Sequence, residues 1–180
     1  MKPFYSDITS HIAVGSVPLP CDVAFLHAQG VRGVVNMCQE YDGPVERYRA
    51  LGIAQLHLPT PDLHEPSLSQ MRDMIAFIQD LQRREGPPPS ATHISNEEQT
   101  DNDKSTAPTC PRETRGDKVF IHCKGGRGRA VLAAVCFLIF QGRGAEEAFE
   151  LVRSKRQVAA RAVLKCDLIR AVTEEYAPRK

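Results

Sequence analysis

The strongest chemical signal in the chain is the segment VFIHCKGGRGRA at residues 119–130. It contains the pattern His-Cys-x-x-Gly-x-x-Arg, formed by His122, Cys123, Gly126 and Arg129. The apolar residues before it predict a strand and those after it predict a helix, so the glycines form the turn between them. A glycine-rich loop that enters a helix presents backbone N–H groups and the positive end of the helix dipole, which together bind a phosphate-sized anion.

Cys123 is expected at the base of this loop, where the N–H groups, the helix dipole and Arg129 all favour its thiolate form. Such a thiolate can attack the phosphorus of a phosphate ester and form a phosphocysteine, which water then hydrolyses. Arg129 can donate two parallel N–H groups to two phosphate oxygens, a geometry that lysine does not match. The predicted phosphate-binding residues are Lys124, Gly125, Gly126, Arg127, Gly128 and Arg129.

Three other interpretations of this segment explain less of it. An unreactive buried cysteine on a glycine turn is common beside an apolar helix, but it does not account for four matched positions. A dinucleotide-binding loop needs Gly or Ala at the third position after Gly128, where Val131 stands. A nucleoside triphosphate loop needs Gly-Lys-Ser or Gly-Lys-Thr, which the segment lacks.

Ester cleavage also needs an acid that protonates the leaving oxygen. Asp62 fits this role, because it follows the predicted strand IAQLHL, at the strand end where open α/β sheets bind their ligands. Glu65 and His64 in the same loop are competing candidates. Asp62 could also be only a turn residue after Pro61.

The elements around these residues alternate between helix and strand. Strands are expected at 12–14, 34–37, 53–58 and 118–122, and helices at 22–29, 45–51, 67–84, 130–141, 145–154 and 165–176. Helix-glycine-strand units of this kind pair their strands in parallel. We therefore predict an α/β fold with a central, mostly parallel sheet of about four to five strands, flanking helices and a helix-rich C-terminal half.

The length and composition fit one compact domain. The chain has 180 residues, of which 42% are hydrophobic and 25% charged, so a single domain is expected over residues 1–180. The composition changes at 85–117, where three prolines precede the polar tract SNEEQTDNDKST, and this segment predicts a disordered insertion.

The charge and the cysteines exclude several classes of protein. The net charge is +1, so no overall field attracts nucleic acid. The six cysteines lack Cys-x-x-Cys pairs, which disfavours a zinc site and a secreted disulfide framework, and neither a metal nor a cofactor is expected. With no signal-like N-terminus and no apolar run long enough for a bilayer, we expect a soluble, cytoplasmic protein.

The loop HCKGGRGR resembles the signature of the cysteine-dependent protein tyrosine and dual-specificity phosphatases. It is most similar to the mitochondrial-type phosphatases that act on phosphatidylglycerophosphate, and the likeness covers nearly everything outside 85–117. In that group the segment Asn-x-x-Glu-Glu-Tyr-x-Gly-Pro precedes the acid loop, and its matches here are Asn36, Glu40, Tyr41, Gly43 and Pro44. The stretch AEEAFELVRSKR also looks like the family's helix after the phosphate loop.

The resemblance implies a dual-specificity-phosphatase fold in which Cys123 is the nucleophile, Arg129 the phosphate clamp and Asp62 the general acid. It implies a phospholipid head group as substrate, with phosphatidylglycerophosphate favoured and a tyrosine, serine or threonine phosphoprotein as the alternative. A catalytically weak phosphate-binding module is an alternative of another class. The resemblance also makes the mitochondrion an alternative compartment.

Two positions depart from the family pattern. Gln39 replaces the first Glu of the upstream segment, and Ala130 stands where most relatives have Ser or Thr directly after the Arg. That hydroxyl would donate a hydrogen bond to the sulfur as it leaves, so Ala130 predicts slow hydrolysis of the intermediate. The phosphatases of regenerating liver, which resemble the same fold, also have Ala there, so we expect a slow enzyme rather than an inactive one.

Basic residues near the loop have two interpretations. The side chains of Lys124 and Arg127 are expected to point outward, toward a second phosphate, a lipid head group, acidic peptide residues or only solvent. A second basic cluster either faces anionic lipid or covers an ordinary helix surface; it consists of Arg153, Lys155, Arg156 and Arg161.

Three further expectations complete the prediction. His122 is expected to be a buried hydrogen-bond partner that holds the loop. Cys136 is expected in the core, on the apolar helix. We expect a monomer with no nucleic-acid partner, and contact with a membrane surface is a further option.

Overall fold

The structure is a computed structural model that describes residues 4–83, 117–158 and 166–176. The strands in these ranges are β1 Tyr5–Asp7, β2 Ile12–Gly15, β3 Val31–Cys38, β4 Ala54–Thr60 and β5 Lys118–His122. The α-helices are α1 Val23–Ala28, α2 Val45–Ala50, α3 Leu68–Arg83, α4 Arg129–Phe140, α5 Ala145–Lys155 and α6 Asp167–Tyr176. The insertion expected at 85–117 lies, except for Asp117, outside the described residues.

The strands form one sheet in the order β1-β2-β5-β3-β4. Only β1 is antiparallel to its neighbour, and the other three pairings are parallel. This arrangement confirms the predicted α/β class and the mostly parallel sheet. The prediction missed β1, because Tyr-Ser-Asp has no apolar run and owes its extended form to pairing with β2.

Two hydrophobic cores cover the two faces of the sheet, and β5 shows how they are divided. Val119 and Ile121 point into the larger core, which is closed by helices α3 to α6. Phe120 points the opposite way, into the smaller core with residues of α1 and α2. This alternation follows from the two-residue period of a strand, and it buries the central strand on both faces.

Helices α3 and α4 begin in different ways. At the start of α3 the backbone N–H of Gln70 donates to Ser67 Oγ at 3.2 Å, and the N–H of Ser67 donates to Gln70 Oε1 at 2.8 Å. This reciprocal pair is the capping box that the sequence predicts. Helix α4 instead begins directly after the glycine-rich loop, and the expected core residue Cys136 is fully buried in it. No helix in the described ranges is long and apolar enough to span a bilayer.

The parallel strands all end at the same edge of the sheet. In the register, both Gly15 and Asn36 lie opposite His122, and Cys38 lies opposite Thr60. The loops that follow these four strands therefore meet at one edge, and they bring together Ser16, Cys123, Glu40 and Asp62.

Candidate active site

The glycine-rich loop between β5 and α4 is bound from outside through three successive carbonyl groups. The N–H of Val17 donates to the carbonyl oxygen of Lys124 at 3.3 Å. Arg156 donates through Nη2 to the carbonyl oxygen of Gly125 at 3.4 Å and through Nε to that of Gly126. A trans peptide directs its N–H opposite to its C=O. The N–H groups in the same three peptide units, those of Gly125, Gly126 and Arg127, therefore point toward the interior of the loop.

Gly126 is the residue that lets the loop turn. Its φ is +62°, in the left-handed region, and a Cβ there would lie 2.3 Å from the carbonyl oxygen of Gly15 and 2.4 Å from Arg156 Nη2. Both the backbone angle and the lack of space require glycine. Gly125 differs, because a Cβ on it would meet no atom within 4 Å.

The sequence prediction for the position of the Arg156 side chain was wrong. We expected it on a lipid-facing or solvent-facing helix surface, but its side chain turns inward beneath the loop and is 9% exposed. It also donates through Nη1 to Ser6 Oγ and to the carbonyl oxygen of Val14, both at 3.2 Å. Burial lowers the pKa of Arg156 from its ordinary value. Arg153 is exposed on α5, which ends just before Arg156, and pairs with Glu150. Arg161, also in the predicted cluster, lies outside the described residues.

A cavity of about 600 Å³ opens above the loop. Cys123 is at its floor and is 4% exposed, and Lys124 and Arg127 are exposed beside it. The other residues that line this cavity are Asp62, Leu63, His64, Glu65, Gly125, Gly128, Arg129, Leu132 and Cys166. The structure therefore brings all the predicted catalytic residues and five of the six predicted phosphate-binding residues to one cavity.

The guanidinium group of Arg129 is buried and is held by four acceptors. It pairs with both carboxylate oxygens of Glu40, through Nη2 at 2.8 Å and through Nη1 at 3.1 Å. Nη1 also donates to the carbonyl oxygens of Thr60 at 2.6 Å and Met37 at 3.3 Å. These hydrogen bonds with Arg129 lower the pKa of Glu40 to about 2, and the same pairing raises the pKa of Arg129.

The loop after β3 positions Glu40. Asn36 donates through Nδ2 to the carbonyl oxygen of Tyr41 at 2.6 Å and accepts the N–H of Cys38 at 2.9 Å. The hydroxyl of Tyr41 donates to the carbonyl oxygen of Pro18 at 3.2 Å. From sequence, Glu40 is only a match to a family segment. Glu40 lies just beyond the end of β3, the strand next to β5. This position is the signal that predicts its ion pair with Arg129.

Asp62 lies at the mouth of the cavity, and its Oδ1 is 3.1 Å from Arg129 Nη2. The competing candidates His64 and Glu65 line the same cavity. Among these three, only Asp62 forms an ion pair with the clamp in the part of the chain that the structure describes. Leu63, the next residue, has a φ of +63° and is 97% exposed.

His122 does not hold the loop as expected. It is fully buried, but neither ring nitrogen has a hydrogen-bond partner among the described residues. Its ring stacks on Phe120 with 5.8 Å between the ring centres. Burial lowers the pKa of His122 to about 3, so the ring is neutral at physiological pH.

The buried Cys38, at the end of β3, has a thiol whose pKa is raised to about 12, first by burial and next by Glu40.

Within the described ranges, no three His, Cys, Asp or Glu side chains group closely enough to hold a metal ion.

A mostly parallel sheet whose central strand leads into a glycine-rich loop, with a buried cysteine and a buried arginine at the two ends of that loop, is the architecture of a cysteine-dependent phosphatase domain. The family described as "Swiss Army Knife protein, DSP-PTPase phosphatase domain" matches residues 8–177, and the chain belongs to this family.

Two curated relatives from Arabidopsis thaliana are named as phosphatidylglycerophosphate phosphatases. PTPMT1 is 25% identical over 177 residues, which are 96% of this chain and 42% of that protein. PTPMT2 is 27% identical over 157 residues, which are 85% of this chain and 55% of that protein. The chain therefore spans about half the length of these curated relatives.

Solved structures show the same fold. The crystal structure of PTPMT1 has a TM-score of 0.71 at 22% identity and covers 96% of this chain and 95% of that one. PTPMT1 in complex with PI(5)P has a TM-score of 0.67 at 23% identity, with 97% and 100% coverage. Tk-PTP in its active form has a TM-score of 0.69 at 23% identity, with 97% and 99% coverage.

We expect Gly126→Ala to lower the free energy of unfolding by about 1–3 kcal/mol, because the new Cβ needs space and a backbone angle that the loop does not offer. Urea unfolding measures this change. The matched control is Gly125→Ala, one residue earlier, which should change stability much less because its Cβ would be in open space. Equal losses in the two variants would contradict this description of the loop.

We expect Glu40→Gln to lower the free energy of unfolding by about 1 kcal/mol at pH 7, a modest amount since solvent screens the pair. The Glu40 side chain is 37% exposed. A lowered pKa stabilises the fold above the ordinary value near 4.5, and this contribution is lost as the pH falls toward about 2. The difference between wild type and variant should therefore shrink in acid.

Urea unfolding at a series of pH values measures the difference. Glu46→Gln is the control, because Glu46 pairs with Arg49 on the exposed surface of α2. A difference for Glu40→Gln that stays constant or grows in acid is the contrary result.

Proposed function

We propose that the chain hydrolyses phosphomonoesters through a phosphocysteine on Cys123. The observation that carries this proposal is the orientation of the loop above the thiol. Donors outside the loop bind three of its carbonyl oxygens. The N–H groups of the same three peptide units therefore face the position where a phosphate would lie over Cys123. The sulfur and the anion-binding groups therefore converge on the same point.

In the first step the sulfur of Cys123 attacks phosphorus. A P–S bond forms, the P–O bond to the leaving group breaks, and a proton from the Asp62 carboxyl goes to the leaving oxygen, which departs as an alcohol. Two equatorial phosphate oxygens accept N–H groups from Arg129. The substrate phosphate competes with Asp62 for Arg129 Nη2, so its binding releases the Asp62 carboxylate, which takes up a proton from water before it acts as the acid.

In the second step water attacks the phosphocysteine. The P–S bond breaks, inorganic phosphate leaves, and the Asp62 carboxylate accepts the proton of the attacking water. The departing thiolate then depends on the loop N–H groups and Arg129 for stabilisation. Ala130 offers no hydroxyl to it, so this step is expected to limit the rate.

The favoured substrate is phosphatidylglycerophosphate or a related lipid phosphate. The names of both Arabidopsis relatives support this choice, as does the bound phosphoinositide in the PTPMT1 complex. The exposed Lys124 and Arg127 beside the cavity suit an anionic head group. A phosphoprotein is the alternative substrate, and a weak phosphate-binding module is the alternative of another class. A module would need neither the nucleophile nor the acid.

The compartment and the partners stay predictions. The cytoplasm is favoured from the sequence, with the mitochondrion as the alternative that the resemblance implies. Fractionation of cells that express the chain with its native N-terminus separates the two. Size-exclusion chromatography with light scattering tests the expected monomer.

The central test measures hydrolysis of an aryl phosphate and then of phosphatidylglycerophosphate in mixed micelles. Cys123→Ser should lose turnover of both substrates, because the covalent step is removed. Asp62→Ala should lose about 100-fold or more on the lipid, whose alkoxide leaving group needs a proton. The matched controls are Cys21→Ser and Asp73→Ala, which change exposed residues outside the cavity.

Each outcome has a distinct meaning. Full activity in Cys123→Ser would contradict the phosphocysteine mechanism. Aryl phosphate hydrolysis without lipid hydrolysis would shift the substrate to phosphoproteins. Phosphate binding without turnover of any substrate would favour the binding module.

We expect Ala130→Ser to raise steady-state turnover by about tenfold, the effect of one added hydrogen bond to a charged leaving group. Rapid-quench kinetics should show a smaller burst, because less phosphocysteine accumulates. Ala134→Ser is the control, since it buries the same hydroxyl one helical turn later on α4. An unchanged or lower rate in a folded Ala130→Ser variant would contradict the inference.

A further inference from the structure

A second, smaller cavity lies beside the first and has a volume of about 250 Å³. Its lining residues are Ser6, Ser16, Gly125, Arg127, Lys155, Arg156 and Gln157. Gly125 and Arg127 line both cavities, so the two cavities adjoin at the phosphate loop. A molecule bound above Cys123 that extends past Arg127 would therefore run toward the second cavity.

The lining of this cavity is strongly basic. Three of its residues are cationic, namely Arg127, Lys155 and Arg156, and none of the lining residues is acidic. Arg127 is exposed on the loop and forms no ion pair within the described residues. Such a concentration of positive charge favours an anionic ligand.

The positive charges in this cavity also act on each other. Burial is the main cause that lowers the pKa of Arg156, Cys123 opposes the shift, and the nearby Arg127 lowers it further. An anion bound near both guanidinium groups would weaken this repulsion. Its binding would therefore stabilise the loop as well as the ligand.

Several donors in the cavity are available to such an anion. Lys155 uses one of its three N–H groups on the carbonyl oxygen of Ile8, at 2.9 Å, and keeps two for a ligand. Arg127 offers its guanidinium group, while Ser16 and Gln157 add a hydroxyl and an amide. Phosphate oxygens accept these kinds of donor.

We propose that this cavity, formed by Ser16, Arg127, Lys155, Arg156 and their neighbours, binds a second phosphate group of the substrate whose terminal phosphate lies above Cys123. We call it the second anion site. The inference rests on the proposed function and specifies its substrate as a molecule with two phosphates. In phosphatidylglycerophosphate a glycerol unit joins a phosphodiester to the terminal phosphomonoester. The diester would occupy the second anion site, whose lining includes no cysteine, and only the terminal ester above Cys123 would be cleaved.

The test compares ligands with one and two phosphates in a chain that cannot turn them over. In the Cys123→Ser background, calorimetry should show that glycerol 1,3-bisphosphate binds at least tenfold more tightly than glycerol 3-phosphate. Lys155→Ala should remove about tenfold of this preference and leave glycerol 3-phosphate unchanged, because only the second phosphate loses a charged donor. Lys155→Arg should retain the preference.

Arg153→Ala is the matched control, because it removes one positive charge from the same helix but does not line the cavity. In the enzyme with Cys123 intact, Lys155→Ala should lower kcat/KM about tenfold for dioctanoyl phosphatidylglycerophosphate and leave aryl phosphate hydrolysis unchanged. The lipid could bind more tightly than glycerol 3-phosphate while glycerol 1,3-bisphosphate does not. That result would assign the extra affinity to the acyl chains and overturn the proposal.

Equal affinity for the two glycerol phosphates, or a preference that survives both Lys155→Ala and Lys155→Glu, also overturns it. Failure of the proposed function looks different. The wild-type chain would then hydrolyse no phosphate ester, while the dependence of bisphosphate binding on Lys155 would still support the second anion site.

Discussion

The candidate site depends on hydrogen bonds that hold three loop carbonyls away from the cavity. A peptide group binds an anion only through its N–H, and each N–H in the loop can face inward only if its carbonyl faces outward. Val17 and Arg156 supply the outward donors. Gly126 supplies the backbone angle that lets the chain make the turn. The anion-binding property therefore belongs to the loop and its supports together.

Arg129 couples the rest of the site to this loop. Its guanidinium group is shared among the carboxylates of Glu40 and Asp62 and the carbonyl oxygens at the ends of two strands. Glu40 contacts it at two points, whereas Asp62 contacts it at one and is more exposed. The weaker partner is thus the one that an incoming phosphate would displace. In the proposed mechanism, Arg129 would in this way link phosphate binding to the release of Asp62.

Local patterns predicted most of the fold. The capping box at Ser67 begins α3, and the pattern at Cys123 indicates a loop between a buried strand and a buried helix. The features that the sequence did not predict depend on contacts between distant parts of the chain. The charged segment around Arg156 is typical of a helix surface. Only contact with the loop thirty positions earlier turns the Arg156 side chain inward. His122 was expected to form hydrogen bonds, yet neither of its ring nitrogens has a partner among the described residues.

The inward turn of Arg156 also determines how much of the polypeptide a functional piece must contain. The motif proposed to carry the chemistry ends at the start of α4, but the donor that binds two of its carbonyls comes from the residue just after α5. A fragment cut between these helices would keep every reacting group and lose the support of the loop. Splicing variants, split-protein designs and domain boundaries for expression should all treat α5 and the residue after it as part of the candidate site.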